Sequence, residues 1–399
     1  MTQPSKKPLI EGIDRRDALL FTALASALAL AGCGGGGSDG GSTVAGVTSG
    51  GTGSFATGAI TGFGSIIVGG VRFDDSKAIS VLDIDDDNTD LRGQLKLGMV
   101  VRVKGKPKSG VNADAETIEV RSELLGPVSA IDATTLTVLG QTVKVGATTF
   151  FADGLANLAA LTVNDIVEVH GFVDSVNNAI TATRIERKTL AGVKAFKLQG
   201  SVRALTANTF QIGDLVISFA AGIGVPSSLV LANGLVVRLR LEATLTTGTR
   251  KAVKIRTVEL EVQDRDEAKV GGTITAFTSN SQFSVNGLTV DASAAESPAG
   301  LKRGDLVEVE GKLVKGVLIA KKVELEVEND PLKFELHGTV GSLNTTAMTF
   351  AVRGVTVDFS AAQFNNGTAT NLRDAVRVEV KGVVSADGTQ LKASRIAFE

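Results

Sequence analysis

The chain of 399 residues contains few of the residue types on which site chemistry often depends. It has one cysteine, two histidines, and neither tryptophan nor tyrosine. A single cysteine excludes an intramolecular disulfide and a cysteine-rich metal site. Sugar-binding platforms and base-stacking surfaces usually use tryptophan or tyrosine, so the absence of both counts against these two classes.

The chain also has little net charge. Lysine and arginine number 41 against 43 aspartate and glutamate residues, which gives a formal net charge of −2. The long-range electrostatic field is therefore weak, with no general attraction for nucleic acid or an anionic membrane. We expect no nucleic-acid partner.

The single cysteine, Cys33, follows an export-signal pattern. Basic residues precede an apolar run at 18–31 that is too short for an ordinary transmembrane helix. The motif Leu30-Ala31-Gly32-Cys33 resembles the lipobox of bacterial lipoproteins, whose cysteine becomes the lipidated first residue after cleavage. Arg15-Arg16 resembles a twin-arginine signal, so both twin-arginine and general secretion stay open.

These patterns predict how the N-terminal part of the chain is organised. Residues 1–32 form a signal peptide, and residues 33–54 form a lipid-anchored Gly/Ser-rich tether. We therefore expect a protein of the cell envelope, anchored through lipid on Cys33, that faces the periplasm or lies in the outer membrane.

One short pattern recurs five times along the rest of the chain. Each copy has an opening turn residue, a strand in which aliphatic and polar residues alternate, and usually a closing glycine. The copies are Gly98 to Gly105, Asn164 to Gly171, Gly234 to Leu241, Gly304 to Gly311 and Ala375 to Gly382. Aliphatic residues at the third and fifth offsets predict an inward face. Polar residues at the fourth and sixth offsets change charge sign between copies, which predicts a solvated outer face rather than a shared site.

Each repeat contains five short strands with period-two alternation, of which the recurring strand is one, and the copies recur about every 70 residues. Such a sheet must close or pack to bury its apolar face, and a sandwich would need about seven strands. We therefore predict an all-β chain of five tandem, small, five-stranded, OB-like barrels behind the signal peptide. The predicted repeats are 55–123, 124–190, 197–264, 268–330 and 335–399.

Three local features are predicted within the repeats. Asn286-Gly287 should form a tight hairpin turn, because both residues tolerate positive φ. The variable loop before each recurring strand is expected to hold a helical turn. The last strand of the third repeat is placed at 258–261.

The acidic run in the first repeat is the best candidate for a metal site. Oxygen ligands at alternating positions can wrap Ca²⁺, and the candidates are Asp83, Asp85, Asp87 and Asp90. Asn88 stands where an EF-hand needs glycine, and Gln94 stands where it needs a bidentate glutamate. An exposed polar loop is the alternative interpretation.

The two histidines, His170 and His337, give no catalytic constellation. Neither has a second histidine or a cysteine at ligand spacing, so we expect both to be exposed strand residues. A serine hydrolase would need one of them as its base, and the chain has no Gly-x-Ser-x-Gly elbow. We therefore expect no catalytic residue and no enzymatic activity.

The repeats carry a resemblance to a known family. The stretch from Gly62-Phe63-Gly64-Ser65-Ile66-Ile67-Val68 to Val71-Arg72-Phe73-Asp74 resembles bacterial lipoproteins with tandem copies of a domain of unknown function. The resemblance covers residues 55–399, is weaker in the third copy, where Leu241 replaces the closing glycine, and implies no activity. We expect a non-catalytic envelope lipoprotein that serves as a spacer or protein-interaction surface, with envelope proteins as partners. The alternatives are a periplasmic ligand- or Ca²⁺-binding protein and, with less support, an envelope hydrolase.

Overall fold

Short strands with one apolar face dominate the computed structural model. The model describes residues 54–83, 88–108, 111–152, 155–174, 179–220, 229–245, 248–257, 262–326 and 333–399. These residues lie within one compact unit, Val44–Glu399. No helix in the described part of the chain is both long and apolar enough to cross a membrane.

The first group of strands closes into a small barrel, here named barrel 1. Its strands are β1 (Phe55–Phe63), β2 (Ile66–Val68), β3 (Val71–Asp74), β4 (Ser80–Asp83), β5 (Thr89–Asp90), β6 (Val100–Pro107) and β7 (Asn112–Val120). Strand β1 pairs with β2, β2 with β3, β3 in parallel with β7, β7 with β6, and β6 with β1. This ring of five strands has no free edge, while β4 and β5 extend it beside β7.

Four further groups of described strands follow the same order. Barrel 2 contains β8 (Leu124–Ile131), β9 (Thr135–Val138), β10 (Gln141–Lys144), β11 (Phe150–Ala152), β12 (Ile166–Asp174) and β13 (Ala179–Lys188). Barrel 3 contains β14 (Ala195–Ser201), β15 (Thr209–Ile212), β16 (Leu215–Ser218), β17 (Val236–Glu242) and β18 (Arg250–Thr257). Barrel 4 contains β19 (Arg265–Ser279), β20 (Gln282–Val285), β21 (Leu288–Asp291), β22 (Leu306–Val314) and β23 (Val317–Leu325). Barrel 5 contains β24 (Lys333–Thr339), β25 (Gly341–Asn344), β26 (Thr349–Val352), β27 (Val355–Asp358), β28 (Gln363–Asn365), β29 (Arg377–Val384) and β30 (Leu391–Phe398).

The expected class, an all-β chain with small closed five-stranded barrels, is therefore confirmed. Barrel 3 closes less fully than the others, because only one bridge, Arg203 to Gln211, joins its first two strands. Four single 3₁₀ turns occur among the described residues: Asp75–Lys77, Leu158–Ala160, Leu190–Gly192 and Ala369–Asn371. Three of them lie in the loop before the recurring strand, in barrels 1, 2 and 5, whereas the described loop 292–305 of barrel 4 has none.

The recurring strands β6, β12, β17, β22 and β29 point their aliphatic residues into the barrels, as predicted. The ten side chains are at most 3% exposed: Val101, Val103, Val167, Val169, Val237, Leu239, Val307, Val309, Val378 and Val380. The turn residues that open the five copies all have positive φ, between 70° and 92°, at Gly98, Asn164, Gly234, Gly304 and Ala375. The Asn286-Gly287 turn also has positive φ at both residues, 48° and 84°.

The closing glycines lie inside strand pairs and do not form turns. Each lies inside a hairpin at a β-bulge, opposite the carbonyl of the partner strand. A Cβ atom at Gly171 would lie 2.2 Å from the Thr181 carbonyl oxygen, and one at Gly311 would lie 2.1 Å from the Ile319 oxygen. The last strand of barrel 3 is Arg250–Thr257, whereas the predicted stretch 258–261 falls outside the described residues.

The barrels also pair strands with one another. The start of β1 pairs in parallel with β19 of barrel 4, and its end pairs in parallel with β24 of barrel 5. Strand β8 of barrel 2 pairs with β14 of barrel 3. One apolar cluster combines residues of barrels 1 and 5 with Phe150 of barrel 2, whose ring stands edge-on to Phe334 at 4.9 Å. These contacts place the outer face of one barrel against its neighbours.

The prediction of a solvated outer row on the recurring strands is therefore wrong. Two of its ten residues, Arg102 and His170, are buried, and the other eight are half-buried. Neighbouring barrels and cross-strand partners cover this row. Many of these residues form ion pairs, such as Arg102 with Glu119 and Glu308 with Lys269, so the sign of charge follows that of the partner.

Candidate functional site

The acidic run that was predicted as a Ca²⁺ site begins at a junction between barrels. Asp83 ends β4, and its Oδ2 atom lies 2.6 Å from the Nζ atom of Lys197 in barrel 3. Asp90 accepts a hydrogen bond from the backbone N–H of Arg92 at 2.9 Å. Asp85, Asp87 and the lipidation candidate Cys33 lie outside the described residues. Asp83 therefore already has a cationic partner, which sequence reasoning did not anticipate.

Lys197 joins three barrels through one ammonium group. It lies on β14, and its backbone pairs with Leu125 on β8 of barrel 2. Its Nζ atom donates to Asp83 of barrel 1, to Glu168 of barrel 2 at 3.1 Å, and to Ser122 at 3.2 Å. The side chain is 7% exposed. A buried ammonium group needs such a set of oxygen partners, because unpaired burial of a charge is strongly unfavourable.

Glu168 continues the network into barrel 2. It stands directly opposite Glu186 on the neighbouring strand, a position in which two carboxylates repel each other. Lys188 lies between them, 3.0 Å from Glu168 and 2.5 Å from Glu186, and Arg184 pairs with Glu186 on the other side. Burial opposes ionisation of Glu168, but the charges of Lys197 and Lys188 hold its pKa well below its usual value.

The expectation that His170 is exposed is wrong, because its side chain is buried at the contact between barrels 1 and 2 and the residue is 1% exposed. Its Nδ1 atom lies 2.9 Å from the carbonyl oxygen of Arg121, to which it can donate a hydrogen bond. Burial lowers the pKa of His170 to about 4, although Glu168 and Glu186 oppose this shift. The ring is therefore neutral at physiological pH.

Arg102 also belongs to this junction. It is 5% exposed, and its Nη1 atom lies 3.1 Å from Glu119 Oε2. Burial lowers the pKa of Arg102, and the guanidinium of Arg238 acts in the same direction. Arg238 donates to the Ser122 carbonyl at 2.6 Å and to Gln199 at 2.7 Å. The hydrogen bond to Ser122 binds barrel 3 to the segment between barrels 1 and 2, whereas the one to Gln199 lies within barrel 3.

Within the described residues, the junction of barrels 1, 2 and 3 is a set of charges that neutralise each other. The carboxylates of Asp83, Glu168 and Glu186 each contact an ammonium or guanidinium group. Such an arrangement can hold barrels in register. Each of these carboxylates is therefore already engaged by a cation of the chain itself.

His337 is placed at a second junction, between barrels 1 and 5, and is half-buried rather than exposed as expected. Its ring lies between Glu335 and Glu399, and the Cβ of His337 packs where a side chain at Gly64 would otherwise stand. Glu335 also pairs with Arg72 of barrel 1. Burial raises the pKa of Glu335, but hydrogen bonds from His337 and Arg72 outweigh it and lower that pKa to about 2.

Comparison with known proteins identifies part of the chain. Residues 126–186, 271–324 and 337–397 match the model of a domain of unknown function, DUF5666. Three successive segments of the chain are thus similar to this domain. The three matched segments fall on barrels 2, 4 and 5, and they support a tandem repeat of a domain of unknown function.

No curated protein matches the chain. Among solved structures, the chain is similar to the structure titled "drosophila Unr CSD456", with 15% sequence identity, 52% of this chain and 98% of that chain covered, and a TM-score of 0.13. This low TM-score supports no conclusion about the function of the DUF5666 repeats.

Proposed function

We propose that this protein is a non-catalytic lipoprotein of the bacterial cell envelope, in which OB-like barrels form an interaction scaffold on a lipid anchor. The observation that carries this proposal is the contact of Lys197 with Asp83 and Glu168, which joins three barrels through buried charge. Polar residues of the recurring strands that could have served ligands form ion pairs within the chain instead, and Glu168 does so across a barrel junction.

The five-copy organisation is part of the same proposal. Barrels 1 and 3 share the strand order of the three DUF5666 segments, although the family model does not match them. The proposed domains are a signal peptide at 1–32, a tether at 33–54, and repeats at 55–123, 124–190, 197–264, 268–330 and 335–399.

The lipid anchor is supported by the position of the chain's one cysteine at the end of the signal pattern. Fractionation of cells that express the full chain tests it. We expect the wild type to partition with membranes and Cys33→Ser to be released into the soluble envelope fraction. Ser38→Ala in the tether is the matched control and should stay with the membranes. Membrane partition of the Cys33→Ser variant would contradict the proposed anchor.

The Ca²⁺-binding alternative is tested separately. Because Asp83 already pairs with Lys197, we expect calorimetric titration of the full chain with Ca²⁺ to give no saturable binding that depends on Asp83 or Asp90. Saturable heat that disappears in Asp90→Asn would instead favour a Ca²⁺-binding protein over a scaffold.

A further inference from the structure

A cluster of one imidazole and carboxylates lies at the junction of barrels 1 and 5. Glu335 and His337 are two positions apart on β24, so their side chains leave the same face of the strand. Glu379 on β29 stands directly opposite His337. Sheet pairing alone thus brings Glu335, His337 and Glu379 together, with one ligand atom of each within 4.8 Å of the others.

The contacts of the His337 ring are the unusual feature of this cluster. Its Nε2 atom lies 2.6 Å from Glu335 Oε1, and its Nδ1 atom lies 2.6 Å from Glu399 Oε1. A neutral imidazole carries one N–H, so it can donate a hydrogen bond to only one of these two carboxylates. In the neutral ring the other nitrogen then directs a lone pair at a carboxylate oxygen. Either a proton on that nitrogen or a metal ion in its place stabilises this arrangement.

The position of Glu399 indicates which nitrogen would bind that cation. Metal-binding histidines usually donate their second ring N–H to a carboxylate, which fixes the tautomer and the ring orientation. Glu399 can accept this hydrogen bond from Nδ1, and Nε2 then faces Glu335 and Glu379. One imidazole nitrogen and two carboxylates are a donor set suited to Zn²⁺, with a further position left for water.

We propose that Glu335, His337 and Glu379 bind a Zn²⁺ ion at the junction of barrels 1 and 5, with Glu399 orienting the His337 ring. The site goes beyond the scaffold function, since the barrels could form a scaffold without it. A metal here would bridge two strands of barrel 5 beside the contact with barrel 1. It would therefore strengthen this junction when the metal is present.

The cations beside the cluster compete with the metal. The Nζ atom of Lys381 lies 2.9 Å from Glu379 Oε1 and 3.5 Å from Glu335 Oε2. Its side chain is 36% exposed, so it can turn into solvent when a divalent ion takes its place. Arg72 contacts the same edge of the ring, with Nη1 3.2 Å from His337 Nε2. Removing the Lys381 charge should therefore favour the metal.

Calorimetric titration with ZnCl₂ at neutral pH tests the site in the full chain carrying Cys33→Ser, which removes the thiol as a competing ligand. We expect saturable binding of one Zn²⁺ per chain that depends on His337. Glu379→Gln and His337→Gln should each weaken it about tenfold or more, and Glu399→Gln should weaken it by about 10–100-fold. Lys381→Met should tighten binding, whereas a cluster that serves only as an ion-pair network would show no Zn²⁺ binding in that variant.

His170→Gln is the matched control, because His170 is the only other histidine and lies at a different junction. It should leave Zn²⁺ affinity unchanged. Absence of saturable binding in both the Cys33→Ser protein and its Lys381→Met derivative would overturn the proposal. Binding that survives His337→Gln would overturn it as well. Circular dichroism of each variant identifies any loss of fold, and the scaffold proposal is unaffected by either result.

Discussion

The ammonium group of Lys197 lies 2.6 Å from the carboxylate of Asp83, although 114 residues separate them in the chain. The contact connects barrel 3 to barrel 1 beside barrel 2, where Glu168 accepts a hydrogen bond from the same ammonium group. Both carboxylates are largely buried, at 13% side-chain exposure. The stability of the multi-barrel unit should therefore depend on this one lysine more than on the exposed lysines around it.

Replacing Lys197 by methionine should destabilise the protein strongly. The change leaves Asp83 without the cation it contacts and removes one of the cations beside Glu168, and breaking a buried ion pair in this way costs roughly 3–5 kcal/mol. The free energy of unfolding from urea denaturation measures the effect. The matched control is Lys251→Met, also in barrel 3, whose partner Glu242 is exposed. It should cost about 1 kcal/mol or less. Equal effects of the two variants would refute a special role for Lys197.

Gly382→Ala should destabilise barrel 5 through a collision with the backbone. A Cβ atom at Gly382 would lie 2.2 Å from the carbonyl oxygen of Lys392. Relief of this overlap requires the bulge to shift, which typically costs about 1–3 kcal/mol. Gly341→Ala in the same barrel is the control, because nothing lies within 4 Å of its Cβ position. Thermal unfolding of the pair should show a lower midpoint for Gly382→Ala alone.

Acidification should weaken the junction of barrels 1 and 2 through His170. Its pKa is lowered from 6.5 to about 4 by burial, so the unfolded chain binds a proton that the folded chain does not. The stabilisation is complete above pH 6.5 and is lost as the pH falls toward 4, with a total of roughly 3 kcal/mol. The free energy of unfolding of the wild type should therefore decrease as the pH is lowered from 6.5 toward 4.

The His170→Gln variant isolates this effect, because glutamine can still donate to the Arg121 carbonyl but does not titrate. Its stability should change much less than that of the wild type between pH 6.5 and 5.5, above the range in which carboxylates with ordinary pKa values begin to be protonated in the unfolded chain. His337→Gln keeps His170 and is the control, so its stability should still fall as the pH is lowered from 6.5 toward 4. If the stability of His170→Gln depends on pH as steeply as that of the wild type, another group controls the acid response.

The two imidazoles should titrate on opposite sides of pH 6.5. Hydrogen bonding to Glu335 raises the pKa of His337, with Glu399 acting in the same direction, whereas burial lowers that of His170. His337 thus stabilises the folded chain fully below pH 6.5, and this contribution is lost as the pH rises through its raised pKa. Proton NMR of the chelator-treated protein measures both midpoints, and His170→Gln assigns the signals. Coincident midpoints would contradict the two environments described above.

Periodicity predicted the barrel interior better than it predicted the surface. Val307 and Val309 are buried as the alternation required, because a strand places every second residue on one face. The same alternation placed Glu308 and Glu310 on the other face, yet they are half-buried. Alternation reports which face a residue is on but carries no information about what covers that face.

The candidate sites show the same division. Asp83 stood out in the sequence as part of an acidic run, but its partner Lys197 belongs to another repeat and has no local signal. Glu335 and His337 are two residues apart and could have been paired by inspection, whereas Glu379 and Glu399 join them only through strand pairing and the chain end. Contacts between distant strands depend on sheet register, which a single sequence leaves undefined.

By itself, the amino-acid sequence determined the strands, the barrel cores and the left-handed turn positions. Those features depend on residues a few positions apart, and local sterics and hydrophobic burial decide them. Only the tertiary structure decided that closing glycines such as Gly171 sit at bulges beneath a carbonyl, and that the outer charges join barrels. Both outcomes depend on which surfaces meet, and surfaces from different repeats meet only after the chain has folded.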